Sequence, residues 1–150
     1  MTERIERTHT IDIDLPADDA FPLFSPRGEE AWASGWKPEY VHPANGETLE
    51  GMVFRTGEGV ETTLCSCIAF DEVSHRVKYV RVTPASRFAT VEVVCSAVGP
   101  SRTQVHVTYV ITALTPHGCK YLAGLRELEF RSMIEGWRQA IEDMLARSAA

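Results

Sequence analysis

The beginning of the chain alternates between two faces in steps of two residues. One face carries Ile5, Arg7, His9, Ile11, Ile13 and Leu15, and the other carries Glu6, Thr8, Thr10, Asp12 and Asp14. A period of two over this length predicts a half-buried β-strand. Pro16 ends the pattern and the strand with it.

Two short helices are predicted to follow. Asp19 is placed as the N-cap of the first, so Pro22 becomes its third helical residue, where a missing N–H costs little. Ser25, followed by a proline, has the pattern of a second N-cap. The second helix is predicted to run through Trp32 and to end at Gly35.

The middle of the chain consists of β-rich runs separated by short turn signals. The runs are Met52–Thr56, Val60–Phe70, Arg76–Val82, Arg87–Ala97 and Thr103–Leu114. Short turns join antiparallel neighbours, because a parallel return needs a long crossover. Together with the first strand, these runs predict a curved antiparallel sheet of six or seven strands.

The last part of the chain shows helical spacing. Thr115 and Pro116 have the pattern of an N-cap and a first helical residue. Apolar residues then recur mostly at intervals of three, four or seven: Leu122, Leu125, Phe130, Met133, Ile134, Trp137, Ile141, Met144 and Leu145. This predicts a single amphipathic helix of about thirty residues, weakened at Gly124 and Gly136. The predicted fold class is α+β, in one domain over residues 1–150.

Charge and cysteine usage narrow the classes of partner. The net charge is −6, from 15 Lys and Arg against 21 Asp and Glu, and the basic residues are scattered. Nucleic acids and anionic membrane surfaces need a concentrated basic patch, so neither is an expected partner. The N-terminus lacks the apolar core of a secretory signal and no run is long enough to span a membrane, which predicts a cytoplasmic protein. Its cysteines, Cys65, Cys67, Cys95 and Cys119, are therefore expected to be thiols.

Four segments carry a family resemblance: residues 32–43 (WASGWKPEYVHP), residues 51–56 (GMVFRT), residues 79–84 (YVRVTP) and residues 105–114. With the terminal helix, they resemble the START-like, or Bet v 1-like (SRPBCC), superfamily and its helix-grip fold. Within it, they resemble the bacterial polyketide cyclase/dehydrase and lipid-transport branch. The resemblance covers residues 8–145, and Pro22 departs from it. It implies a cavity for hydrophobic or amphipathic small molecules, which some relatives only bind and others cyclise or dehydrate.

The concave face of the sheet is predicted to line this cavity. Alternation assigns to it Met52, Phe54, Val77, Tyr79, Arg81, Val91, Val93, Cys95, Val105, Val107, Tyr109 and Ile111. The predicted ligand-binding residues are Trp36, Phe54, Tyr79, Arg81, Val93, Tyr109, Phe130, Ile134 and Trp137. Trp32 and Trp36 are candidates for gating the opening, and a role in closing the fold is an equal alternative.

Arg81 is the least certain member of this set, because Val80 and Val82 compete for the inner face and a one-residue bulge would exchange them. Pointing inward, Arg81 would need a counter-charge such as a ligand carboxylate. The preferred interpretation places Arg81 on the rim or paired with a surface acid, because Arg is seldom fully buried.

Metal and acid–base chemistry have few candidates. Cys65 and Cys67 share a strand face, but no CxxC, HxxxH or HExxH spacing occurs, so neither a metal nor a cofactor is predicted. His9 is the only acid–base candidate predicted to face inward, and a hydrogen-bonded core histidine is its preferred interpretation. His106 alternates to the outer face.

Three functions remain as hypotheses. The favoured one is binding of a hydrophobic or amphipathic small molecule without catalysis, because the chain lacks a compact catalytic constellation. An empty dry cavity of about 300 Å³ would cost about 7 kcal/mol, so the cavity is expected to be wet, partly collapsed or occupied. The first alternative is a polyketide cyclase, aromatase or dehydratase, with His9 or Tyr79 as proton donor and Arg81 polarising a carbonyl. The second is a protein-interaction module like the Hsp90-activator relatives of this fold. A homodimer is left open.

Overall fold

The computed structural model describes residues 3–149. Seven strands and four helices follow in the order β1 (Arg4–Ile13), α1 (Ala17–Ala20), α2 (Pro26–Glu29), β2 (Glu39–His42), β3 (Val53–Thr56), β4 (Thr63–Asp71), β5 (Arg76–Thr83), β6 (Arg87–Gly99), β7 (Arg102–Ala113), α3 (Pro116–Gly124) and α4 (Glu127–Ala149). A 3₁₀ helix, Phe21–Phe24, lies between α1 and α2, and another, Gly59–Glu61, precedes β4.

The strands form one antiparallel sheet in the order β1-β7-β6-β5-β4-β3-β2. Each strand from β3 to β7 pairs with the strand next to it in the sequence, as the short turns predict. β1 then pairs with β7, with Ile5 opposite Ile111 and Ile11 opposite Val105. This arrangement confirms the predicted α+β helix-grip architecture, in which the sheet packs against a long C-terminal helix.

The C-terminal helix is broken, so the prediction of one helix from Thr115 onward is wrong. Thr115 does cap α3, because its Oγ1 accepts a hydrogen bond from Gly118 N at 3.2 Å. Leu125 leaves the helical region, with φ −105° and ψ 64°, and its carbonyl accepts a hydrogen bond from Arg7 Nε at 3.0 Å. Tertiary contact with β1 therefore ends α3 just after Gly124, and the 23-residue α4 starts separately.

The short helices differ from prediction in their limits. Pro16, and not Asp19, is the N-cap residue of α1, and Pro22 is the second residue of the 3₁₀ helix Phe21–Phe24. The predicted cap at Ser25 is confirmed, since Gly28 N donates to its Oγ at 2.9 Å. The helix that it caps, α2, ends at Glu29, and the chain continues in turns to Trp32.

The main core lies between the concave face of the sheet and α4. Most residues that alternation assigned to the concave face are buried, and Arg81 and Tyr109 are partly exposed. Phe130, Ile134 and Ile141 of α4 are buried against this face. The irregularity in register falls on β4, between Cys67 and Ala69, and not on β5. Because β5 itself stays regular, Tyr79 and Arg81 both face the core side, while Val80 and Val82 face outward.

Within residues 3–149, no helix has both the length and the apolar composition to cross a membrane.

Candidate functional site

A small internal cavity lies between the concave sheet, α2 and α4. Its volume is about 30 Å³, which is enough for one or two water molecules. The residues that line it are Phe24, Glu29, Trp36, Phe54, Tyr79, Arg81, Val91, Val93, Tyr109 and Trp137. The predicted space therefore exists where it was expected, but it is largely collapsed.

Most of the predicted ligand-binding residues lie around this inner cavity. Those that line it are Trp36, Phe54, Tyr79, Arg81, Val93, Tyr109 and Trp137. Phe130 and Ile134 are buried without lining it. Phe130 packs edge-on against Tyr109, with ring centroids 5.1 Å apart, so it supports the wall from behind.

Aromatic rings form most of the cavity wall and hold each other in place. Phe54 makes edge contacts with Trp36 at 6.1 Å and with Tyr79 at 6.3 Å between centroids. Trp36 Nε1 donates to the Pro26 carbonyl at 2.8 Å. Trp32 is buried, and its Nε1 donates to the Leu23 carbonyl at 2.8 Å. Both indoles are thus fixed to the backbone of the short-helix region.

Arg81 enters this aromatic wall as the one cation of the inner cavity's lining. Its guanidinium carbon lies 5.6 Å from the Trp36 ring centroid, and its Nη2 donates to Thr56 Oγ1 at 3.3 Å. Its Nε is buried and has no hydrogen-bond partner among the protein atoms of residues 3–149. The predicted surface ion pair is wrong, since no salt bridge among residues 3–149 includes Arg81, and the side chain faces the cavity while staying partly exposed. A buried donor without a partner costs about 1–3 kcal/mol, and more for a charged group, so the unsatisfied Nε of Arg81 destabilises the folded chain.

Glu29 is the polar residue that sequence reasoning missed. It is the last residue of α2, and its side chain lines the inner cavity together with Arg81. Burial raises the pKa of Glu29 from 4.5 to about 8, although the positive charge of Arg81 lowers it. The carboxyl is therefore mostly protonated at neutral pH. Its spacing of three positions from Trp32 puts Glu29 on the same face of the predicted second helix, but nothing in that local pattern predicts a place in the cavity.

The cavity tyrosines, Tyr79 and Tyr109, are neutral phenols and not bases. The Tyr79 hydroxyl donates to the Phe24 carbonyl at 2.9 Å. Burial, with a smaller contribution from Glu29, raises the pKa of Tyr79 well above its usual range, and burial likewise raises the pKa of Tyr109. Both phenols stay neutral over the physiological range of pH.

Two further spaces adjoin the inner cavity. The larger is an apolar groove of about 190 Å³, open to solvent and lined by Phe21, Pro22, Phe24, Ser25, Thr48, Phe70, Glu72, Val77 and Tyr79. It shares Phe24 and Tyr79 with the inner cavity, so these two side chains form the partition between groove and cavity. A smaller space of about 50 Å³ on the α3 side shares Arg81, Val91 and Tyr109.

The other candidates from the sequence lie outside the inner cavity. His9 Nε2 lies 2.7 Å from Glu135 Oε2 of α4, and neither residue lines the cavity. Cys65 and Cys67 are buried on β4, and burial raises the pKa of Cys67 to about 11. In the part of the chain that the structure describes, no three His, Cys, Asp or Glu residues are grouped closely enough to hold a metal ion.

Comparison with known proteins gives likenesses of structure. No family model and no curated protein matches the chain. Among solved structures, the chain is similar to a point mutant of norcoclaurine synthase from Thalictrum flavum in complex with a transition-state analogue (TM-score 0.68, 14% identity, 98% of this chain and 97% of that one). It is also similar to the ZhuI aromatase/cyclase from Streptomyces sp. R1128 (TM-score 0.71, 16% identity, 98% and 96%).

A third similar structure is the di-domain aromatase/cyclase BexL of the BE-7585A biosynthetic pathway (TM-score 0.67, 16% identity). The match covers 92% of this chain and 46% of that one. At these identities the likeness concerns the fold. The chain has the Bet v 1-like helix-grip fold.

Proposed function

We propose that this protein binds a hydrophobic or amphipathic small molecule in the space between the sheet and the C-terminal helix. The observation that carries the proposal is Arg81, a partly buried cation whose Nε is fully buried in an aromatic-lined cavity and has no partner among residues 3–149. Folding alone gains nothing from such a donor, whereas a bound molecule with an acceptor would satisfy it.

The shapes of the spaces suggest how an amphipathic molecule would lie. The groove next to the cavity is walled by Phe21, Phe70 and Val77, which suits an apolar body. The inner cavity beyond it holds Arg81 and Glu29, which suit a polar head. Both ends can be occupied together when the partition formed by Phe24 and Tyr79 opens.

The solved structures to which the chain is similar support this direction without defining it. Norcoclaurine synthase has been described with dopamine and hydroxybenzaldehyde bound, and two others are aromatase/cyclases. Their fold is thus used around small aromatic molecules.

A thermal-shift screen of fatty acids, sterols and aromatic compounds tests the proposal. A ligand at 100 times its Kd stabilises a protein by about 2.7 kcal/mol, which for a chain of this size raises Tm by about 5–11 °C. The variant Val93→Phe fills the inner cavity and should abolish the shift. The matched control is Val94→Phe, the next residue on β6, which faces the other side of the sheet. No shift with any class, or a shift that survives in Val93→Phe, contradicts the proposal.

A second candidate function is a cyclase, aromatase or dehydratase that uses the same cavity. The observation that favours it is the pair of Arg81 and Glu29 facing one space, since a carboxyl with a pKa of about 8 can give and take a proton near neutral pH. Arg81 would stabilise the enolate oxygen while ionised Glu29 takes the α-proton of the substrate. Glu29 would then return that proton to the hydroxyl as the C–O bond breaks, so that water leaves and the carboxylate is regenerated. His9, the donor considered from the sequence, lies outside the cavity lining.

Turnover distinguishes the two functions. If the protein dehydrates a β-hydroxy ketone, mass spectrometry detects a product that is lighter than the substrate by one water molecule. Under the catalytic alternative, Glu29→Gln should reduce the rate by about 10²–10⁴-fold, while Glu30→Gln, outside the cavity, leaves it unchanged. No water loss from a compound that does bind supports binding alone.

A further inference from the structure

Glu29 and Arg81 share a single small space, yet they do not form an ion pair. The carboxyl and the guanidinium line the same cavity of about 30 Å³, and no salt bridge within 4.0 Å joins them among residues 3–149. Burial keeps the Glu29 carboxyl mostly neutral despite the nearby cation. The space thus contains one uncompensated positive charge and one carboxylic acid O–H.

The surrounding elements supply no anion that could neutralise Arg81. The titratable groups nearest to the pair are Tyr79 on β5, Tyr109 on β7 and Cys65 on β4, and burial raises the pKa of each, so that all three stay neutral. From β2, Tyr40 donates its hydroxyl to Glu30 and is also neutral. The face of the Trp36 ring attracts the guanidinium of Arg81 through its quadrupole but carries no negative charge.

We propose that the inner cavity is a carboxylate-binding site, in which Arg81 neutralises the charge of a ligand carboxylate and the protonated carboxyl of Glu29 donates a hydrogen bond to the same head group. This assignment rests on the proposed binding function and names the class of its ligand: a monocarboxylic acid with an apolar body. A carboxylate accepts several hydrogen bonds, so it can satisfy the orphaned Nε of Arg81 and the O–H of Glu29 together.

The proposal fixes the sign of a pH dependence. Below about pH 8, Glu29 is neutral and donates to the carboxylate. Above it, an ionised Glu29 repels the bound anion and competes for Arg81. Affinity for a carboxylate should therefore fall as the pH rises past 8, by up to about tenfold per pH unit. An uncharged head group should show no such fall.

The test compares three molecules with one apolar body: 3-phenylpropanoic acid, 3-phenylpropanamide and 3-phenylpropan-1-ol. Isothermal titration of the wild-type chain at pH 6.5 should give a Kd for the acid at least tenfold below that of the alcohol and the amide. At pH 9.5 the affinity for the acid should be at least tenfold lower than at pH 6.5, and the affinity for the alcohol should change by less than twofold. Arg81→Met should remove the preference for the acid while retaining the alcohol.

Glu29→Gln is the decisive variant, because Gln keeps a hydrogen-bond donor but does not ionise. It should bind the acid as tightly as wild type at pH 6.5 and at least tenfold more tightly at pH 9.5. The matched control is Glu30→Gln. In the wild-type chain the Glu30 carboxylate is exposed and contacts Arg27 and Tyr40, so the variant should keep the wild-type pH profile.

The outcomes separate this inference from the function on which it rests. Equal affinity for acid, amide and alcohol, or a flat profile for the acid between pH 6.5 and 9.5, overturns the carboxylate site and leaves small-molecule binding standing. Tighter binding of the acid by Glu29→Gln already at pH 6.5 also overturns it, because Glu29 would then be the resident counter-ion of Arg81. If none of the three molecules binds and the wider thermal-shift screen is also negative, both proposals fail.

Discussion

Replacing Glu29 with Gln should stabilise the protein by an amount that grows with pH. In the folded chain, burial raises the pKa of Glu29 from 4.5 to about 8. The unfolded chain, with the ordinary value, releases the proton earlier. A carboxyl shifted in this direction favours folding at low pH, and that advantage is lost as the pH rises from 4.5 to about 8.

The size of the effect follows from the shift. Each pH unit within this interval is worth about 1.4 kcal/mol, so the wild-type chain loses about 3 kcal/mol by pH 7 and up to about 5 kcal/mol by pH 8. The variant Glu29→Gln has no carboxyl at this position, so its stability does not depend on this titration. Its advantage over wild type in the free energy of unfolding should therefore increase by several kcal/mol between pH 5 and pH 8.5.

Urea unfolding followed by tryptophan fluorescence measures this difference at pH 5, 6, 7, 8 and 8.5, with a reductant to protect the thiols. Taking the difference between variant and wild type cancels the other titrations, such as those of Glu61 and Asp71, whose pKa values are lowered in the folded chain. Glu30→Gln should show a difference that does not change with pH. If the Glu29→Gln difference is the same within about 0.5 kcal/mol at pH 5 and pH 8.5, Glu29 titrates normally and the reasoning about its burial is refuted.

Two further predictions concern the framework around the site. Gly118→Ala should lower the free energy of unfolding in urea by about 1–3 kcal/mol, because its new Cβ would overlap the Ser86 carbonyl oxygen. Gly124→Ala on the same helix meets open space and should stay within about 1 kcal/mol of wild type. Equal effects of the two substitutions would contradict this packing. His9→Ala should cost no more than about 1 kcal/mol and leave the Kd of 3-phenylpropanoate unchanged, because His9 forms a partly exposed pair with Glu135 outside the cavity; a tenfold loss of affinity would place His9 in the site after all.

The strand pattern was predictable because it depends on a short period. Alternation placed Tyr79, Val93 and Tyr109 on one face, and once the strands pair in register that face has to be the buried one. The orientation of Arg81 was harder, because it depends on where the sheet is irregular. That irregularity lies on the neighbouring strand β4 and leaves no mark in the sequence of β5.

The helix break and the buried acid could not be read from local pattern. Leu122 and Leu125 keep the helical spacing across the break, which is fixed by the hydrogen bond from Arg7 on a distant strand. Glu29 falls inside the predicted second helix, where nothing in the local pattern marks it, because it enters the cavity lining only when α2 packs over the concave sheet near Arg81. Both features are set by tertiary contacts, which override local preference.

The most direct test of small-molecule binding in the inner cavity is a crystal structure of the protein with 3-phenylpropanoate. We expect the phenyl ring in the groove beside Phe21 and Phe70. The carboxylate should lie within hydrogen-bond distance of Arg81 Nε and the Glu29 carboxyl, with Phe24 and Tyr79 moved apart. A molecule bound only on the outer surface, with the partition closed and Arg81 Nε still unpartnered, would contradict it.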